Sequence, residues 1–275
     1  MDENRRKRFW DSLCLADDAA FSIALDGNTE CASFIVRTIL GRRDITVSSV
    51  HTQRSQRRMD SHCSIFDMLA YDDEGNLYDV EMQRSSASGD EIGARASYYE
   101  AMLGTRALRK GEKYSELRER IVIFILEEEA IGEDRDVYEY EFRDEEGKAL
   151  EGSRVRIVLA NTACHGRMRP DLESLYRDLY EPVVEKIRNP ELRKGLERVK
   201  GSADMSRRQN NIVNEMIQEW VNEGIAEGEK KGAAKNQSLV IRNMLSANYP
   251  IKEIAAITDL SVDEINEIAA LLNNK

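Results

Sequence analysis

The residues whose types and spacing offer chemistry are Asp67, Glu81 and Gln83, on the stretch Ser64 to Gln83. That stretch reads as a β-hairpin around the turn Asp72-Asp73-Glu74-Gly75-Asn76. Asp at the first position and Gly at the fourth favour a type I turn, with Gly75 left-handed to close a three-residue loop with a bulge. Residue 72 then faces residue 76, and stepping back along both strands brings Asp67 opposite Glu81. Gln83 points the same way as Glu81, because residues two apart on a strand share a face. Directly opposed side chains start about 5 Å apart at their β-carbons, and like charges there repel. Two carboxylates in an otherwise apolar hairpin call for a cation between them, and a divalent metal with oxygen ligands is the natural candidate.

The flanking sequence supplies elements to hold such a hairpin. Thr29 to Leu40 has helical spacing, with Phe34, Ile35, Thr38 and Ile39 on one side and Gly41 at the C-terminal cap. Ile45 to Val50 alternates and is β-branched, as a strand requires. After the hairpin, residues 90–110 place Ile92, Ala96, Tyr99 and Leu103 at helical spacing, and Tyr98 and Tyr99 are expected in the core. Arg120 to Leu126 is a continuous apolar run, the pattern of a central strand buried on both faces. Tyr138 to Phe142 and Val155 to Leu159 read as further strands.

Glycine and strand signals fade after Pro170. Residues 171–200 read as two helices broken near Asn189-Pro190, and Met205 to Ala247 as a long polar helix interrupted by Glu-Gly pairs. Ile251 to Leu272 reads as two short helices, with Ser261 and Glu264 forming a capping box for the second. That second helix carries Asp263, Glu264 and Glu267 and no basic residue, which suits a packing or association module better than a DNA-reading one. The expected organisation is therefore 1–169 as one domain, 170–248 as a helical extension and linker, and 249–275 as a small helix-turn-helix-like tail.

The chain has 275 residues, 33% of them charged, and a formal net charge of −11. It is long enough to bury a core and has no apolar run of membrane-spanning length. Cys14, Cys31, Cys63 and Cys164 are scattered without metal-ligand spacing; with no apolar leader behind the basic N-terminus, the expectation is reduced thiols in a cytoplasmic protein. The negative balance does not exclude nucleic acid, because Glu127 to Glu146 alone contributes eleven acids against two arginines. Basic residues cluster beside the carboxylate pair instead. Arg37, Arg42, Arg43, Arg54, Arg57 and Arg58 precede the hairpin, and Arg84, Arg95, Arg106, Arg109, Lys110 and Lys113 follow it. His51, His62 and His165 lack ligand spacing, and neither a nucleophile elbow nor a glycine-rich phosphate loop is present.

The order helix, strand, hairpin with Asp…Glu-x-Gln, helix, strand resembles the PD-(D/E)XK nuclease core. The likeness continues in Leu-Ala-Asp-Asp-Ala-Ala-Phe-Ser (15–22), Asp-Ile-Thr-Val (44–47) and Thr-Gln (52–53). It runs on through Phe-Asp-Met-Leu-Ala-Tyr-Asp (66–72), Tyr-Asp-Val-Glu-Met-Gln (78–83), Arg-Ala-Ser-Tyr-Tyr (95–99), Gly-Glu-Lys-Tyr (111–114) and Ile-Val-Ile-Phe-Ile (121–125). The ordered series is similar to the bacterial PD-(D/E)XK nuclease family transposases, the recombination-promoting nuclease group, over residues 10–165. The C-terminal segment from Ile251 to Ile265 resembles a tail often appended to that group.

The resemblance implies an α/β fold with a restriction-endonuclease-like core, a mixed central sheet flanked by helices, and a helical C-terminal extension. It implies a metal-dependent DNA endonuclease using Mg²⁺ or Mn²⁺. Asp67 and Glu81 match the metal-binding carboxylates, the Met82 carbonyl is a further metal ligand, and Gln83 stands in the place of the motif lysine. Glu30 matches an accessory acid of the first helix, Arg95 on the following helix is within reach of a phosphate, and Arg54, Arg57, Arg58 and Arg84 form the DNA-facing set. DNA is the expected partner, no membrane is involved, and a homodimer is compatible with the reading. Phe66 replaces the motif proline at little chemical cost. Gln83 replaces an ammonium by a neutral amide, which orients water or a phosphate oxygen but brings no positive charge. Two alternatives stay open. Asp67 and Glu81 form a polar pair satisfied by Arg58 or Arg95, or the chain is a catalytically degenerate nuclease fold that binds DNA or a protein.

Overall fold

A computed structural model describes residues 3–52, 66–84, 87–108 and 111–201, together with Ile251 and Ile254. The chain divides into two compact units, Met1–Gln209 and Asn210–Lys275, and the central sheet belongs to the first. The long polar helix and almost all of the helix-turn-helix-like tail read from the sequence lie outside the described residues.

Three helices come first: α1 (Glu3–Ser12), α2 (Asp18–Leu25) and α3 (Thr29–Leu40). The bounds of α3 follow from its ends. The Asn28 side chain accepts the Cys31 N–H at 3.2 Å, and Gly41 takes a left-handed conformation with φ of 63° that ends the helix. Then come β1 (Val47–Thr52), β2 (Met68–Asp72), β3 (Leu77–Gln83), α4 (Gly89–Arg106), β4 (Arg120–Leu126), β5 (Val137–Tyr140), β6 (Val155–Asn161), α5 (Pro170–Leu179) and α6 (Pro190–Lys200). The six strands make one sheet in the order β1-β2-β3-β4-β6-β5. β1, β2 and β3 form an antiparallel meander, β3, β4 and β6 run parallel, and β5 pairs antiparallel with β6. The mixed sheet flanked by helices is the restriction-endonuclease-like α/β architecture expected from the sequence.

Both faces of the sheet are covered, so β3 and β4 are buried at every position. Alternation sorts their side chains. Tyr78, Val80, Met82, Ile121, Ile123 and Ile125 face α2, α3, α5 and α6. Leu77, Val122, Phe124 and Leu126 face α4 through Ile92, Ala96 and Leu103. Leu172, Leu175, Leu179, Leu192, Leu196 and Val199 lie in the same apolar cluster as the sheet residues of the first face. The helices assigned to an extension by the sequence reading therefore share the core of the sheet. Tyr98, expected in the core, is instead 59% exposed, one position off the buried stripe of α4.

Candidate active site

The hairpin sets the register of the candidate residues. The Asp72 N–H donates to the Asn76 carbonyl and the Gly75 N–H to the Asp72 carbonyl, with Gly75 at φ of 82°. This is the three-residue loop read from the sequence. Pairing from Tyr71–Leu77 back to Met68–Val80 follows without a slip, so Asp67, one residue before β2, lies across from Glu81. Two hydrogen bonds lock the crossing. The Asp67 N–H donates to Glu81 Oε1 at 2.9 Å, and the Met82 N–H donates to Asp67 Oδ2 at 2.9 Å. Each carboxylate is thus held by a backbone N–H of the other residue's strand.

Backbone direction adds a fourth group. The Gln83 carbonyl accepts from Glu127 N–H on the β4 side, so the alternate residue Met82 directs its own N–H and carbonyl toward the β2 side. The Asp67 carboxylate takes that N–H where β2 leaves the ladder, which brings the Met82 carbonyl to the same edge.

Three polar side chains, Asp79, Glu81 and Gln83, follow one another on the α4-facing side of β3, all buried. Burial first, then the negative charge of Asp67, pushes Glu81 up to about 7, against the hydrogen bond from the Asp67 N–H. Asp79 is fully buried, and among the described residues no donor reaches either of its carboxylate oxygens. Burial, followed by the Glu81 and Asp67 charges, raises its pKa well above the ordinary carboxylate range. Burial without a donor thus favours the neutral form of Asp79, next to Glu81 on the same strand face.

Helix α4 closes the site from above. Ser88 caps its start by accepting the Glu91 N–H at 3.3 Å. Arg95 and Tyr99, one turn apart, point down toward β3. The Tyr99 ring packs between Phe66 (centroids 5.6 Å) and Phe124 (6.0 Å). Its hydroxyl faces Glu81, and burial first, then that charge, raises its pKa. The Arg95 guanidinium lies over Phe124 at 5.2 Å and Tyr99 at 6.0 Å. Its Nη1 donates to Gln83 Oε1, and its Nη2 is 3.9 Å from Glu81 Oε2. Arg95 therefore meets the acid pair only at this 3.9 Å limit, and Arg58, the other arginine read as a partner of the pair, lies outside the described residues.

The remaining residues singled out from the sequence are placed elsewhere. Glu30 is exposed and pairs with Lys194 at 3.6 Å, on a helix packed against the opposite sheet face. Arg84 bridges Asp17 and Glu127, the latter at 3.2 Å. Arg54, Arg57 and Arg58 lie outside the described residues. Among the described residues, no group of three or more His, Cys, Asp or Glu side chains is arranged to hold a metal ion. A polar cleft of about 370 Å³ lies at the other end of the strands, where Arg42 and Glu119 pair at 3.0 Å. The sequence reading missed Asp79 and the contact of Tyr99 with Glu81. The signal for Asp79 was present, because it alternates with Glu81 and Gln83; nothing local announces the Tyr99 contact.

The model of the PD-(D/E)XK nuclease family transposase matches residues 35–151. No curated protein and no solved structure matches the chain. The matched span runs from α3 to just short of β6 and contains Asp67, Asp79, Glu81, Gln83, Arg95 and Tyr99. On that match, and on the mixed sheet that carries these residues, residues 35–151 are similar to the PD-(D/E)XK nuclease family transposases.

Proposed function

We propose that the chain is a metal-dependent endonuclease that hydrolyses DNA phosphodiester bonds, acting in recombination or on mobile elements. The observation that carries this reading is the mutual bracing of Asp67 and Glu81 by backbone N–H groups of the opposite strand. It holds two mutually repelling carboxylates in register across the two strands. The donor set suits a hard divalent cation: two carboxylates, the Met82 carbonyl at the same edge, and no nitrogen or sulfur ligand. The elevated Glu81 pKa supports the fit, because a cation there relieves the repulsion that raises it. Asp67, Glu81 and the Met82 carbonyl would hold Mg²⁺ or Mn²⁺, which when bound acidifies water and stabilises charge on phosphoryl oxygens.

The protein's own groups do the remainder. The Gln83 amide oxygen accepts from Arg95, and an amide NH₂ is a group that orients a water or a phosphate oxygen. Tyr99 and Asp79 fix the Glu81 carboxylate from behind. Arg54, Arg57 and Arg58 remain the proposed phosphate contacts along the duplex, whereas Arg84 would have to leave two acidic partners to join them. The free thiols of Cys14, Cys31 and Cys164 support a reducing, cytoplasmic setting.

Supercoiled plasmid incubated with the protein in Mg²⁺ or Mn²⁺, beside EDTA and Asp67→Ala controls, tests the reading. Metal-dependent nicking that disappears in Asp67→Ala is the expected result. DNA binding by both proteins with no cleavage by either would replace the nuclease with the degenerate binding fold.

A further inference from the structure

The motif position on β3 that brings an ammonium to the phosphate in this fold is occupied here by Gln83, and an amide cannot carry that charge. We propose that Arg95 supplies it from α4, with Gln83 as the positioning residue that aims the guanidinium. The inference rests on the nuclease reading and assigns the positive charge of that same site.

Three contacts carry it. The Gln83 amide oxygen accepts from Arg95 Nη1, so the residue that lost the charge is the one that grips its replacement. The guanidinium plane rests over the Phe124 ring at 5.2 Å and near Tyr99 at 6.0 Å, which fixes its tilt and keeps water from one face. Its nearest acidic atom is Glu81 Oε2 at 3.9 Å, at the limit of an ion pair, so the charge is directed into the site without being consumed there. The side chain is 35% exposed, so a substrate phosphate can reach it. A guanidinium has five donors in a rigid fork, and one is committed to Gln83. Others remain for the non-bridging oxygens of a phosphate, in the bidentate manner that favours arginine over lysine.

The arrangement also explains why α4 brings a cation to a surface otherwise made of Ala96, Tyr99 and Leu103. An arginine on an apolar helix face is costly unless its stem packs and its head finds polar company. Here the aromatic rings take the stem and plane, and Gln83 takes the head.

The test uses Arg95→Met, which keeps a stem over Phe124 but removes the charge, and the double variant Gln83→Lys/Arg95→Met, which returns a charge to β3. Thermal melts first establish that both are folded. Arg95→Met is expected to nick plasmid about 10²- to 10³-fold more slowly, the usual loss when one transition-state donor is removed. The double variant is expected to recover at least about ten-fold of that loss. A second readout needs no turnover: binding of a short duplex in EDTA across a salt series. Arg95→Met is expected to bind about ten-fold more weakly, with the salt slope reduced by about one phosphate contact.

Nicking by Arg95→Met at the wild-type rate overturns the proposal, as does an unchanged binding constant and salt slope. If the wild-type protein fails to nick, the nuclease reading falls on its own. The binding series then decides Arg95: a lost phosphate contact keeps its assignment as the phosphate-facing charge, and an unchanged slope removes it.

Discussion

Glu81 sits where electrostatic cost and chemical use coincide. Burial and the Asp67 charge raise its pKa to about 7 from an ordinary 4.5. In the metal-free protein the folded state therefore binds a proton more tightly than the unfolded chain between those values, and stability falls as pH rises through that window. Glu81→Gln mimics the protonated acid and still accepts the Asp67 N–H. Its melting temperature in EDTA is expected to match the wild type near pH 5 and exceed it by several degrees at pH 8, while its cleavage activity is lost. Equal melting curves at both pH values would show that the pair is not strained. Asp79 belongs to the same balance: burial and the Glu81 and Asp67 charges favour its neutral form.

At the level of elements, the turn Asp72–Asn76 matters more than its exposed position suggests, because it fixes which side chain faces Glu81. Gly75 at φ of 82° is the residue that closes it. An added β-carbon there meets only the Arg118 side chain at ordinary contact, 3.5 Å away, so the cost of Gly75→Ala is conformational, about 1–2 kcal/mol. A lower urea midpoint with an unchanged slope measures it; no change would mean that the strands, not the turn, hold the register. Beside the same turn, where its N–H donates to Asn76 Oδ1 at 3.1 Å, Glu119 accepts from Arg156 at 2.6 Å and from Arg42 at 3.0 Å. Burial raises the Glu119 pKa, but these hydrogen bonds and charges outweigh it, and the net shift is downward from 4.5. Its contribution is therefore complete above pH 4.5 and is lost as pH falls through the depressed value. Glu119→Gln is expected to cost about 1 kcal/mol at neutral pH, with the difference from wild type shrinking below pH 4 in acid-unfolding curves.

For the whole molecule, the site depends on a core that extends past the matched family segment. Leu196 of α6 is completely buried in the same cluster as Tyr78 and Val80 of β3. Leu196→Ala removes packing from the apolar cluster that β3 shares with α6, at about 2–5 kcal/mol. A single unfolding transition shifted as a unit, followed by both far-ultraviolet and tyrosine signals, is the expected outcome. A separate early transition confined to the C-terminal helices would mark them as an independent layer instead. Charge is also divided at this scale. Glu127 to Glu146 holds much of the acidic excess, while Arg95 faces the carboxylates, so the net charge of −11 misdescribes the field at the site.

The sequence by itself determined what local rules can encode. The Asp-x-x-Gly turn dictated the hairpin and hence the opposition of Asp67 and Glu81. Asn28 and Gly41 bounded α3, and the apolar run from Arg120 to Leu126 marked a strand buried on both faces. Those are effects of neighbours a few residues apart, or of a period, and they survive being read one segment at a time. Tertiary structure decided the company that each side chain keeps. It set Arg95 on Gln83, Tyr99 between two rings and against Glu81, Arg84 on Asp17 and Glu127, and Glu30 on Lys194. Which arginine meets which acid depends on how helices dock across a sheet, and long charged side chains carry no periodic signal of it. Asp79 lies between these cases. Its place on β3 was legible from alternation, but its raised pKa comes first from complete burial, which exists only once α4 has closed over the strand.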